Sequence, residues 1–180
     1  MAMRTRIGFL LIAWGGAAVL ALAQVAPARA EAADEIRTAQ ESIAHGAETR
    51  NLDLIMSNYL RSDTLFVFDV YPPTAYIGWN AFRKDWSDFL DGIKGPITYQ
   101  MVDMDVATDG KMGYVHVIEH IAGVDHKDQP VEINMRITEL YRKINGKWLI
   151  EHEHASVPVD IKTGKADLLS RKDLAPISAN

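Results

Sequence analysis

ITYQMVDMDVAT-DG-KMGYVHVIEHIAGV-DHKDQ-PVEINMRITELYRKI-NG-KWLIEHEHASVP, residues 97–158, decides the fold. Its runs 97–107, 112–123, 130–144 and 147–158 are rich in Val, Ile, Thr and Tyr, and turn residues bound each one. That composition predicts strands. Asp109-Gly110 and Asn145-Gly146 tolerate the positive φ angles that a tight hairpin turn requires. The stretch therefore reads as an antiparallel meander of four long strands. Strands this long in a small sheet twist strongly and tend to curl.

Upstream, the periodicity changes. Trp79, Phe82, Trp86, Phe89, Leu90 and Ile93 recur at helical spacing, with charged residues between them. This predicts an amphipathic helix that opens at Gly78 and stops at Gly92 and Gly95-Pro96. Thr64–Val70 is β-branched and aromatic, and Pro72-Pro73 ends it, so it reads as a strand. Residues 33–49 place Ile36, Ala39, Ile43 and Ala47 on one helical face, and Asn51-Leu52-Asp53 can cap a short second helix. Helices come early and strands late. The expected class is α+β, with three N-terminal helices on a curved antiparallel sheet. So few helices cannot close the mouth of a curled sheet, and a partly apolar cleft is expected between the layers.

The first thirty residues contain no acidic residue. Arg4 and Arg6 precede an apolar run, and Ala28-Arg29-Ala30 follows it, the pattern of a cleaved secretory signal. The expected organisation is a signal peptide over 1–30, one domain over 31–160 and a tail over 161–180. The expected location is the periplasm or the outside of the cell, with no membrane association after cleavage. Removing Arg4, Arg6 and Arg29 from the 19 basic residues leaves 16 against 24 acidic ones. A nucleic-acid partner is not expected of an acidic chain. The absence of cysteine excludes disulfides, thiolate nucleophiles and Cys-ligated metal centres.

Several segments together resemble the SnoaL-like branch of the nuclear transport factor 2-like superfamily. They are Phe68-Asp69-Val70-Tyr71-Pro72-Pro73, Tyr76-Ile77-Gly78-Trp79 through Lys84-Asp85-Trp86, Arg136-Ile137-Thr138, Gly146-Lys147-Trp148-Leu149-Ile150 and His152 through Asp160. The Gly-Lys-Trp segment and the two histidines also resemble the association domain of calcium/calmodulin-dependent kinases. The resemblance implies a cone-shaped fold, a pocket inside it and a homodimer formed through the sheet. It does not imply one activity, because members include isomerases, cyclases, dehydratases, epoxide hydrolases and proteins that only bind or assemble. In the comparison with ketosteroid isomerase, Asp69 stands where the carboxylate base would be. Ile43 and Leu140 fall near the positions of the enolate's hydrogen-bond donors. Both are apolar, and each such donor is worth roughly 3 kcal/mol. Steroid isomerisation is therefore not expected.

The remaining polar residues define a candidate site. Strand alternation puts His152 and His154 on one face with Trp148 and Ile150, about 6.6 Å apart by the strand rise. A two-residue turn at Asn145-Gly146 sets Glu139 opposite His152, whereas a one-residue bulge brings Arg136 and Thr138 onto the histidine face. A glutamate would orient an imidazole, and an arginine would bind an anion. Asp69 suits a general base and equally a cap for the turn at Tyr71–Pro73. The expected catalytic residues are Asp69, His152 and His154. The expected ligand contacts are Tyr71, Trp79, Trp86, His120, Arg136 and Glu139. No metal or cofactor is assigned. The expected ligand is a small aromatic or apolar compound with an anionic or carbonyl group, open to cofactor-independent isomerase, cyclase or dehydratase chemistry. The alternative is a non-catalytic oligomerisation or ligand-carrier module.

Overall fold

The computed structural model of the chain describes residues 16–170, with side chains from residue 28 onward. Most of the apolar run of the proposed signal peptide lies outside the described side chains, and residues 1–15 lie outside the described backbone. The elements, in order, are α1 (Gly16–Glu48), α2 (Leu52–Met56), β1 (Phe66–Phe68), β2 (Tyr76–Ile77), α3 (Trp79–Gly92), β3 (Ile93–Thr108), β4 (Met112–Asp125), β5 (Pro130–Ile144) and β6 (Lys147–Ser156). The class is α+β, as expected. One six-stranded sheet has the order β2-β1-β6-β5-β4-β3.

The local signals act as their chemistry dictates. Asn51 caps α2 by accepting a hydrogen bond from the Leu54 amide at 3.0 Å. Gly78, at φ 89°, precedes α3 in a conformation that L-residues rarely adopt. Asn145 and Gly146 both have positive φ and join β5 to β6 with Ile144 paired to Lys147. Ile36, Ile43 and Ala47 of α1 pack with Ile55 and Met56 of α2 and with Val115, Val117 and Ile150 of the sheet, all nearly inaccessible to solvent. Gly113 permits part of that approach. A Cβ there would lie 2.7 Å from the Ile36 side chain.

Several elements differ from their sequence reading. Tyr76–Ile77 forms a strand that was not expected, and Ile93, expected in the stripe of α3, opens β3 four residues before its expected start. The helix expected over 33–49 extends upstream to Gly16, past Ala30. The strand expected over 64–70 is only Phe66–Phe68, because it pairs parallel with β6 for three residues before the chain turns toward Pro72. The expected tail is partly folded back. Val159 bridges Ala166, and the Leu168 carbonyl accepts from the Asn134 amide at 2.7 Å. The Arg136–Ser156 pair is the last in β6, so the start of β5 is left for that segment to meet.

A bulge in β6 determines which residues face the helices. Tyr141 pairs with Ile150 and Leu140 with His152, so Glu151 is the extra residue. Before it, Trp148 and Ile150 point inward. After it, Glu153 and Ala155 do, while His154 is exposed. Both readings of the final hairpin hold in part. The turn is the two-residue kind, and the shift that places Thr138 opposite His154 occurs six residues beyond Asn145.

Candidate functional site

The inner face of the sheet and α3 enclose a cavity of about 50 Å³. Trp86 and Phe89 form its helical wall, and their rings meet edge to face at 5.8 Å. Ile121, Ile133 and Ile137 supply the apolar floor. The polar lining consists of carboxyl groups: Asp69, Asp85, Glu119 and Glu153. No Lys, Arg or His lines this cavity among the described residues.

Strand alternation brings these acids inward. Glu119 is in phase with Val115, Val117 and Ile121 on β4, and Glu139 is in phase with Ile133 and Ile137 on β5. Glu139 pairs directly with Glu153 across β5 and β6. Like charges in that arrangement repel. Each buried glutamate has a phenol beside it. The Tyr59 hydroxyl donates to Glu153 Oε2 at 2.7 Å. Tyr99 stands beside Glu119. Gln40 Nε2 bridges Glu139 and the Tyr141 hydroxyl.

Burial penalises ionisation here. It pushes Glu119 up to about 7, against the lowering effect of Tyr99. Burial and then the Glu119 charge push Glu139 up to about 8. Glu153 is raised well above the usual carboxylate range by burial, then by Glu139 and Glu119. Asp69 is pushed up to about 7, first by burial and then by the adjacent Asp85 carboxyl, while the Val70 and Tyr71 amides oppose the shift. Burial also raises Tyr59, Tyr99 and Tyr141, so these phenols keep their protons as donors. Burial therefore biases Glu153 toward its protonated form, while Asp69 and Glu119 both stand near the midpoint of their titrations at neutral pH. The Trp86 indole N–H adds a buried donor with no partner among the described residues.

Of the residues expected in the site, Asp69, Tyr71 and Trp86 line the cavity. Asp69 caps the turn as well, because its Oδ1 accepts from the Val70 and Tyr71 amides. Glu139 is on the same face but sealed behind the lining by Gln40 and Tyr141. The other five stand elsewhere. The Glu151 bulge turns His152 and His154 to the outer face. There His152 Nδ1 donates to the Phe66 carbonyl at 2.8 Å, and Phe68 packs edge-on against both rings. Arg136 is exposed on that outer face opposite Ile118, so the anion site expected of it does not form in the cavity. His120 is also turned outward, one residue from Glu119. Its Nδ1 donates to Asn134 Oδ1 at 2.8 Å. Trp79 donates its indole N–H to the Met56 carbonyl at 3.1 Å beneath the Arg61 and Arg83 guanidiniums, away from the cavity. Among the described residues, no three His, Asp or Glu side chains converge to hold a metal.

Sequence reasoning missed Glu119, Glu153 and Asp85. Glu119 was detectable, since it replaces an apolar residue in the inward phase of β4. Glu153 was not, because its phase depends on the bulge.

The comparisons fit this geometry. Residues 36–160 match the model of the SnoaL-like domain. A nuclear transport factor 2-like protein of unknown function from Pseudomonas putida KT2440 is 26% identical. It superposes with a TM-score of 0.69 over 82% of this chain and 98% of that one. A nuclear transport factor 2-like superfamily protein from Salmonella enterica is 16% identical, with a TM-score of 0.63 over 78% and 97%. A ketosteroid isomerase-like protein from Erwinia carotovora atroseptica is 13% identical, with a TM-score of 0.58 over 69% and 94%. The latter two show the shared fold alone. A search of curated protein sequences finds no match. With that family match spanning nearly all of the sheet and its helices, the chain belongs to the SnoaL-like domain family and has the nuclear transport factor 2-like fold.

Proposed function

We propose that this chain is an exported protein that holds a small, uncharged, carbonyl-bearing compound in the cone cavity and moves a proton on it. One observation carries the reading: four carboxyl groups converge on an apolar cavity whose described lining contains no cation. An anionic ligand would add charge to a wall that already resists ionisation. A carbonyl oxygen suits it, because the Trp86 N–H is an unpartnered donor and burial biases Glu153 toward its protonated, hydrogen-bond-donating form. Asp69, pushed up to about 7, is matched to accepting a proton near neutral pH. In the proposed step, Asp69 takes a proton from the carbon beside the carbonyl. The electron pair moves to the oxygen, and a neutral carboxyl group donates a hydrogen bond to it. Returning the proton to a different carbon is an isomerisation, and loss of a β-hydroxyl as water is a dehydration. Ile43 is in the core and Leu140 on the outer face, so these donors differ from those of the steroid isomerase comparison.

Deuterium exchange into cyclopentanone in D2O, followed by proton NMR, tests the step without knowledge of the natural substrate. Exchange is expected to exceed the buffer rate, to fall at least tenfold in Asp69→Asn and to be unchanged in His154→Ala. Exchange at the buffer rate in the wild-type protein would contradict the proposal.

A second reading, self-association, is favoured by the outer face. There Phe68, Tyr114, Met112 and Leu140 are each more than one-third exposed. Such a cluster is the kind of surface a second copy covers. Light scattering is expected to give twice the chain mass.

A further inference from the structure

The cavity does not end at its own wall. A second hollow of about 400 Å³ lies beside the C-terminal half of α3, and Tyr71, Asp85 and Phe89 line both. The outer hollow continues over Pro72, Tyr76, Ile93 and Val131, surfaces that are largely apolar. Tyr71 is half out in solvent, held only from the loop that ends β1. The inner cavity is far smaller than the several hundred cubic ångströms usual for a ligand site, whereas the outer hollow falls within that range.

We infer that the two hollows are successive subsites of one elongated site, with Tyr71 and Phe89 as its throat. The ligand class is a neutral compound with a carbonyl on a small leading ring and an apolar extension of several carbons. The carbonyl edge of the ring enters the acid-lined cavity, the body of the ring spans the throat, and the extension lies against Tyr76, Ile93 and Val131. This rests on the reading of the inner cavity as the ligand site and adds the length and polarity of what occupies it. Asp85 stands at the throat, while Asp88 beyond it is paired with Lys84. An anionic group entering the inner cavity passes Asp85 and meets Asp69, Glu119 and Glu153 with no cation in the described lining.

The outer hollow can be filled without disturbing the fold. Gly92 lines it at the end of α3, and a Cβ built there meets no atom within 4 Å. Calorimetric titration of the full chain would compare cyclopentanone, 2-pentylcyclopentanone and octanoate. In the wild-type protein the pentyl chain is expected to tighten binding at least tenfold, since it moves several methylenes from water onto apolar surface. Gly92→Trp is expected to cut that advantage below threefold and to leave cyclopentanone unchanged. Val131→Trp, approaching from the sheet side, is expected to do the same. Octanoate is expected to bind at least tenfold more weakly than the pentyl ketone. The outer subsite is overturned if the pentyl chain adds nothing in the wild-type protein, or if its advantage survives both fillings. The charge assignment is overturned if octanoate matches the ketone. If neither ketone binds any variant, the reading of the inner cavity fails, and this inference fails with it.

Discussion

The two faces of the sheet are built from the same strands yet carry opposite chemistry. The inner face presents Glu119, Glu139 and Glu153, each beside a tyrosine and each nearly inaccessible to water. The outer face presents His116, His152 and His154 among half-covered aromatic rings. In β6 the alternation of Glu and His assigns one set to each side, and the single extra residue Glu151 decides which. Pocket chemistry in this fold is thus set by strand phase as much as by residue type. An imidazole and a carboxyl are interchangeable in position, and burial favours the neutral form of each, which means losing a proton for the one and keeping it for the other.

The largest expected effect comes from placing one kind of truncation on both faces. Ile137→Ala, within the inner core, is expected to cost about 2–4 kcal/mol in urea unfolding. Leu140→Ala, on the outer face, is expected to cost less than about 1 kcal/mol when the protein is dilute. A loss at Leu140 that grows with protein concentration would mark the outer face as the self-association surface. Next is pH. Asp69, Glu119 and Glu139 are pushed to about 7, 7 and 8, whereas the unfolded chain ionises near 4. Between those limits the native state binds more protons than the unfolded chain, so stability falls as pH rises. As far as these groups decide it, stability is highest at and below about pH 4 and declines through pH 8. Glu119→Gln should flatten the decline, and His154→Ala should not. Urea midpoints measured at successive pH values check both. The smallest effect is expected from deleting Glu151. The deletion makes β6 regular while keeping Ile150 and Glu153 inward and His152 outward. The Arg142–Glu151 ion pair at 2.5 Å is lost, but it is partly exposed, so the change should stay within about 1 kcal/mol. Amide spectra that show a rearranged sheet would contradict the phase assignment.

The fold was largely legible because its signals are local. Asn145-Gly146, the apolar stripe of α3 and the alternation of β4 each specify geometry within a few residues. Asp69, Tyr71 and Trp86 could be placed at the cavity because they flank the turn and stripe that form it. The histidines could not be placed. Continuing the phase of Trp148 and Ile150 along β6 is the reasonable default, and nothing in Ile150-Glu151-His152 marks a bulge. The reason is nonlocal. With the bulge, Val67 of β1 aligns with Glu153, and Phe66 and Phe68 align with the histidines. Trp79 misled for a different reason. It belongs to the first turn of α3, where the helix leans on α2 rather than on the sheet.

The inner carboxyl groups carry protons that matter near neutral pH. Carbon-13 NMR of the side-chain carboxyl groups, titrated from pH 4 to 9, tests it directly. Asp69 and Glu119 are each expected to titrate near pH 7, and Glu153 well above the usual carboxylate range. Ionisation of all three below pH 5 would contradict it.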